Sequence, residues 1–159
     1  MSGTKLLHKY AFSGIACIMI YWLSNAVLWI PWKYAAWLGA VCMLIYVPVA
    51  WGGISFLCLK KFSKDERIKA KYGLGLLFAA IAFISDLFFY VGYRHIPEQL
   101  YKPATFGAYI LCFFSPLIAG AIIQKKPVSE KNIKPIEWVV VSLFSAVFVS
   151  LTFYVVRFW

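Results

Sequence analysis

Five runs of this chain are each long and apolar enough to cross a lipid bilayer, and this feature constrains the fold more than any other. A helix needs about 20 predominantly apolar residues to cross about 30 Å of hydrocarbon. The 63% hydrophobic content and the mean hydropathy of +0.78 exceed what a soluble domain of 159 residues can bury in one core. The runs predict membrane spans at Ala11–Ile30, Ala35–Leu59, Gly73–Tyr93, Ala104–Ile123 and Trp138–Val156.

Each span should be helical, because every backbone amide and carbonyl in hydrocarbon must find a partner within the protein. The runs show no alternation of period two that would indicate a barrel. Their connections are too short to hold an extramembrane domain. The sequence therefore predicts an all-α protein, a polytopic membrane helix bundle of five transmembrane helices that forms one domain over residues 1–159.

Lysines and arginines lie mostly on one side of this bundle, which predicts its orientation. With the N-terminus in the cytoplasm, an odd number of spans places the C-terminus outside. Four basic residues then face outside: Lys33, Arg94, Lys102 and Arg157. The other basic residues fall inside: Lys5, Lys9, Lys60, Lys61, Lys64, Arg67, Lys69, Lys71, Lys125, Lys126, Lys131 and Lys134. We therefore expect a multi-pass integral protein of a bacterial cytoplasmic (inner) membrane.

The net charge of +10 does not indicate a nucleic-acid-binding protein. Its basic residues are spread over short loops at one membrane face, where they set topology and attract anionic headgroups. No nucleic-acid motif interleaves them, so no nucleic-acid partner is expected.

Asp86 is the only acidic side chain inside a predicted span. A charged group near the bilayer centre costs about 2.5–3.5 kcal/mol on the insertion scale, so this side chain should face the bundle interior or a wet cavity. Two hypotheses stay open. Asp86 is a site for a proton or a cationic group, or it is a structural carboxyl bonded to a neighbouring helix.

Three further residues extend the candidate site. Placing the side-chain amide of Asn25 in lipid also costs free energy. A transmembrane Asn either forms hydrogen bonds between helices or forms one with a substrate. Trp22 adjoins it in the first span, and Tyr90 continues the helix face that carries Asp86. We expect Asp86, Trp22, Asn25 and Tyr90 to bind a substrate or a proton.

Small residues predict two packing surfaces. In the third span, Gly75, Ala79 and Ala82 share the face of Asp86 and would let another backbone approach closely. In the fourth span, small or kinked positions recur every four residues, at Ala104, Ala108, Cys112, Pro116 and Gly120. This helix-packing interface serves contact within one chain or assembly between chains, and spacing does not decide which.

The chain shows no constellation typical of an enzyme or a metal site. Its four cysteines lie inside spans at spacings that match neither a redox pair nor a zinc site. His8 and His95 lie near opposite ends of the topology, and one isolated carboxylate lacks a second acid or a nucleophile. We expect no enzymatic activity, no cofactor and no metal.

Several short motifs also occur in a notable order. The first span contains Trp-Leu-Ser-Asn at 22–25, the third ends in an aromatic stretch that runs into Ile-Pro at 96–97, and the fourth contains Ser-Pro at 115–116. Lys-Pro-Val-Ser follows at 126–129. Over nearly the whole chain this order resembles one EamA-like repeat of the drug/metabolite transporter superfamily.

The resemblance implies a carrier fold in which two repeats of opposite orientation enclose a site near the bilayer midplane. This chain has only one such repeat. Small multidrug carriers of the superfamily pair antiparallel copies, but they have little charge bias and a carboxylate in the first helix. A second, oppositely oriented half-size protein is therefore the more natural partner, similar to the paired small flippase subunits, and a parallel homodimer stays open.

Two hypotheses of function follow. The first is a half-size carrier or flippase subunit that moves a small metabolite or lipid-linked group, with proton coupling. The alternative is a non-transporting membrane module, either an accessory subunit of a larger complex or an immunity-type protein that acts by helix–helix contact. The partners expected are the lipid bilayer and either a second copy of the chain or a second membrane protein.

Overall fold

A computed structural model describes residues 3–124 and 131–158, the latter without the side chain of its last residue. The described residues form five α-helices: α1 (Gly3–Tyr34), α2 (Ala36–Leu59), α3 (Lys64–Asp86), α4 (Pro103–Gln124) and α5 (Pro135–Phe158). A π-helical segment (Leu87–Tyr93) continues α3, and a 3₁₀ turn (Pro97–Tyr101) precedes α4. Lys125, Lys126 and the 126–129 motif lie outside the described residues.

All five helices are long and apolar enough to cross a membrane, and the third candidate span includes the π-helical segment. The described chain is therefore an all-helical, multi-pass integral membrane protein. The predicted spans correspond one to one with these helices, but several helices begin earlier or end later than the apolar runs.

Polar residues that precede an apolar run can extend its helix, as the start of α3 shows. A capping box starts α3: Glu66 Oε2 lies 2.7 Å from the Ser63 amide, and the Ser63 side chain accepts from the first turn. The helix therefore begins outside the apolar run that predicted it. Between α1 and α2 a single residue, Ala35, adopts extended backbone with φ −159° and ψ 135°, which produces a tight reversal.

Helix α1 is central to the bundle: it packs against α2, α3 and α5, while α4 packs against α2 and α3. Helix α5 packs mainly on α1. Two hydroxyls join this pair, because Thr152 Oγ1 lies 3.0 Å from the Trp22 carbonyl oxygen and Ser145 Oγ lies 3.1 Å from that of Ile15. Buried side chains from all five helices form one hydrophobic cluster.

Helix α4 has two distinct faces. Bulky side chains at every fourth position are exposed on the bundle surface, at Phe106, Ile110, Phe114, Ile118 and Ile122. The opposite face is buried and includes Cys112, Pro116 and Gly120. A Cβ added at Gly120 would lie 3.0 Å from Lys71 Cδ of α3. These three positions of the predicted stripe therefore serve packing within the chain.

The two ends of the bundle differ. At the basic end, which contains the α2–α3 connection, Lys61 Nζ lies 2.6 Å from Glu137 Oε1 and Lys9 Nζ lies 2.8 Å from Glu66 Oε2. Lys61 is only 6% exposed. These ion pairs join the α2–α3 connection to α5 and α1 to α3. The other end, called the hairpin end here, contains the α1–α2 reversal at Ala35 and the 94–102 connection.

Candidate binding site around Asp86

The helix that carries Asp86 changes type directly after it. Arg94 N donates to the Phe89 carbonyl at 2.9 Å, five residues back, as a π-helix requires. Segments of this kind are rare and occur frequently at functional sites. The segment ends at Tyr93, and two residues later the φ of His95, 54°, lies in the left-handed region that non-glycine residues seldom adopt.

Asp86 is buried, with 6% of its surface exposed, and two tyrosines from different helices bind its carboxyl group. Tyr21 Oη of α1 donates to Oδ1, and Tyr109 Oη of α4 donates to Oδ2 at 2.7 Å. Each carboxyl oxygen can accept a further hydrogen bond. Asp86 therefore joins three helices and keeps capacity for a ligand.

Asp86 also lines a cavity of about 380 Å³ between α1, α2, α3 and α4. Volumes of this order hold small organic ligands. Its polar lining consists of Tyr21, Ser24, Asn25, Asp86, Tyr90, Arg94, Gln99, Lys102, Thr105 and Tyr109. Exposed Trp32 and Lys102 are part of the wall, so the cavity opens at the hairpin end.

The cavity separates charge by depth. Asp86 lies between helices on the third span, whereas Arg94 and Lys102 lie on the connection at the hairpin end. The guanidinium carbon of Arg94 lies 5.3 Å from the ring centroid of Trp29, a cation–π distance. Trp29 and Trp51 add aromatic wall area. The site therefore combines a deep acidic group, aromatic walls and a basic rim.

The structure brings three of the four predicted binding residues together, because Asp86, Asn25 and Tyr90 all line this cavity. Asn25 Nδ2 donates to the Tyr21 carbonyl of its own helix at 3.2 Å. Trp22 lies elsewhere: it is 5% exposed, and its ring packs against Phe89 and Phe153. Trp22 is not among the residues that line the cavity.

The small face of α3 packs as its spacing predicts. A Cβ added at Gly75 would lie 2.7 Å from the Phe113 carbonyl oxygen, so the backbones of α3 and α4 are close there. Further along the same face, Ala82, Asp86 and Tyr90 line the cavity. Of the predicted stripe on α4, Ala108 and Cys112 line the cavity, while Pro116 and Gly120 are buried nearer the basic end.

Sequence reasoning missed the two tyrosines that bind Asp86 and the basic rim. Tyr21 lies one helical turn before Asn25, and a phenol in an apolar span needs a partner for its hydroxyl group. That requirement indicates a polar partner for the Tyr21 hydroxyl group within the bundle. Tyr109 directly follows a residue of the small-residue stripe, and nothing in its spacing indicates that it faces α3.

No protein-family model, no curated protein and no solved structure matches this chain. The resemblance to an EamA-like repeat therefore stays a prediction.

Proposed function

We propose that this chain is a half-size carrier or flippase subunit and that the cavity around Asp86 holds the transported group. The observation that carries the proposal is a cavity of about 380 Å³ that opens at one end of the bundle and has a buried carboxyl group in its wall. A carrier needs such a site within the membrane. Exchange of a proton or an ammonium group at Asp86 would couple the movement.

The opposite end of the bundle supports the same function. At the basic end, the Lys61–Glu137 pair joins the α2–α3 connection to α5, and the Lys9–Glu66 pair joins α1 to α3. A cavity that opens at the hairpin end corresponds to one of the two states that alternating access requires. In the proposed orientation the N-terminus is cytoplasmic, so the cavity opens outside and the ion pairs close the cytoplasmic side.

The non-transporting alternative receives less support from the packing. In that hypothesis the small-residue stripe of α4 is the surface that captures a partner. Cys112, Pro116 and Gly120 are instead buried against the chain's own helices. The second half that a carrier of this size needs is proposed to be another half-size membrane protein of opposite orientation or a second copy of the chain.

Two-sided access is the direct test, and it needs no knowledge of the substrate. Ala108 lines the cavity, so Ala108→Cys introduces a thiol there, in a chain whose Cys42 and Cys112 are replaced by alanine. The remaining cysteines, Cys17 and Cys58, are fully buried. We expect a charged, membrane-impermeant thiol reagent to label this variant in both right-side-out and inside-out vesicles of the native membrane.

A matched control lies two residues along the same helix. Ile110 is 57% exposed on the outer face of α4, so Ile110→Cys should face lipid and stay unlabelled from both sides. Labelling of Ala108→Cys from the hairpin side alone would contradict a carrier and favour a non-transporting module.

A further inference from the structure

Two charges of opposite sign face the same cavity at different depths. Asp86 accepts from Tyr21 of α1, and Arg94 lies over Trp29 of the same helix. Both Asp86 and Arg94 line the cavity. The spacing of Tyr21 and Trp29 along α1 therefore gives the approximate distance between Asp86 and Arg94.

Tyr21 and Trp29 are eight residues apart on α1, which corresponds to about 12 Å along the helix axis at 1.5 Å per residue. A ligand bound to both ends approaches each protein group to about 3 Å, so its own charged groups would lie about 6–12 Å apart. Lys102, also in the wall, adds a second positive charge at the rim.

This separation excludes a simple α-amino acid as a ligand that bridges both ends. Its amine nitrogen and carboxyl carbon lie within about 3 Å of each other. Arg94 and Lys102 at the rim would not contribute to the binding of a plain organic cation, and a plain anion would meet Asp86. The aromatic walls formed by Trp29, Trp51 and Tyr90 suit the carbon skeleton between the two charged groups.

From this arrangement we infer that the cavity binds an amphoteric organic molecule, an amine that carries an acidic group about 6–12 Å away, with the amine on Asp86 and the acidic group on Arg94. The inference rests on the proposed function in so far as this molecule is the transported group. The acidic group belongs either to a water-soluble metabolite or to a lipid headgroup, since both present the same chemistry to the rim.

Four probes test the inference with the full-length protein, purified in an uncharged sugar detergent together with any partner that stays bound. They are 6-aminohexyl phosphate, hexylamine, hexyl phosphate and the short ethanolamine phosphate. Binding is measured by tryptophan fluorescence, because Trp29, Trp32 and Trp51 line the cavity. We expect 6-aminohexyl phosphate to bind at least about 10-fold more tightly than each of the other three, since only it engages both ends.

Two substitutions test which charged group of the ligand binds at each end of the cavity. Arg94→Gln should remove most of the advantage of 6-aminohexyl phosphate over hexylamine, and hexylamine should bind this variant at least as tightly as the unmodified protein. Asp86→Asn should abolish its advantage over hexyl phosphate. Lys33→Gln is the matched control, because Lys33 lies on the last turn of α1 at the same end and is not among the cavity-lining residues. This variant should retain the full preference.

A phosphodiester of 6-aminohexanol and dodecanol tests whether the acidic group belongs to a lipid headgroup or to a water-soluble metabolite. Tighter binding than that of the monoester supports a lipid headgroup, and weaker binding supports a soluble metabolite. Equal affinities for the four probes, or an Arg94→Gln protein that keeps the full preference, would overturn the inference. Arg94 is at the rim, so this variant tests the idea even if Asp86→Asn fails to fold.

The inference and the proposed function can fail separately. Two-sided labelling of Ala108→Cys with no preference among the probes would support the carrier function and contradict the inferred amphoteric ligand. Preference for 6-aminohexyl phosphate with one-sided labelling would keep the binding site and remove transport.

Discussion

At the scale of single residues, Asp86 shows how the bundle accommodates a carboxyl group within the membrane. Tyr21 and Tyr109 each donate to one of its oxygens, and the two phenols come from different helices. The polar atoms thus satisfy one another inside the protein, as hydrocarbon requires. The same contacts hold α1, α3 and α4 together beside the cavity.

Removal of one phenol should therefore destabilise the bundle. We expect Tyr109→Phe to lower the free energy of unfolding by about 0.6–2 kcal/mol, because Oδ2 loses its donor in a medium that supplies few others. Titration with SDS in mixed micelles measures this free energy. Tyr101→Phe is the control, since Tyr101 is 74% exposed. An equal loss in both variants would contradict a specific role for the Tyr109 hydroxyl.

At the scale of elements, the close approach of α3 and α4 places Tyr109 against Asp86. The approach depends on the absence of a side chain at Gly75, which faces the Phe113 carbonyl. Close backbone contact at small residues is the usual mode of helix association in lipid. The bulky face of α4 points the other way, toward the outer surface of the bundle.

Gly75→Ala should separate these helices. The added Cβ would lie 2.7 Å from a backbone oxygen, which cannot move without moving α4. We expect a loss of about 1–3 kcal/mol in the free energy of unfolding, the usual cost of overpacking. The SDS titration described above measures it.

Gly107 provides the matched comparison on α4, because a Cβ added there meets nothing within 4 Å. Gly107→Ala should leave stability unchanged or raise it by up to about 1 kcal/mol through helix propensity. A Gly75→Ala protein as stable as Gly107→Ala would show that the two backbones are not in contact there.

At the scale of the whole molecule, the bundle has an open hairpin end and a basic end joined by ion pairs. Five helices that each cross the membrane would place the two termini on opposite faces. The basic residues of the described chain concentrate around Lys60–Lys71 and the start of α1, at the end away from the cavity mouth. This asymmetry is the basis of the proposed orientation.

Reporter fusions test that orientation. A reporter that is active only in the cytoplasm should be active at the N-terminus and inactive at the C-terminus, because the positive loops stay inside. A reporter that is active only outside the cytoplasm should give the inverse pattern. Both termini on one side, or the N-terminus outside, would contradict it and would place the cavity mouth on the cytoplasmic face.

The division between sequence and structure follows from what each property depends on. The five helices and the inward orientation of Asp86 were predictable from sequence, because the length of an apolar run and the cost of a charge in lipid are local quantities. The packing of Gly75 was predictable for the same reason, since helical spacing puts it on one face with Ala82 and Asp86.

Only the tertiary structure decided which residues form the site. The contact of Tyr109 with Asp86, the packing of Trp22 against Phe89 and the basic rim at Arg94 depend on how each helix is rotated and how closely it approaches its neighbours. The π-helical segment after Asp86 likewise has no sequence period of its own. Rotation and approach depend on side chains of several helices at once, so the apolar pattern of any single span does not determine them.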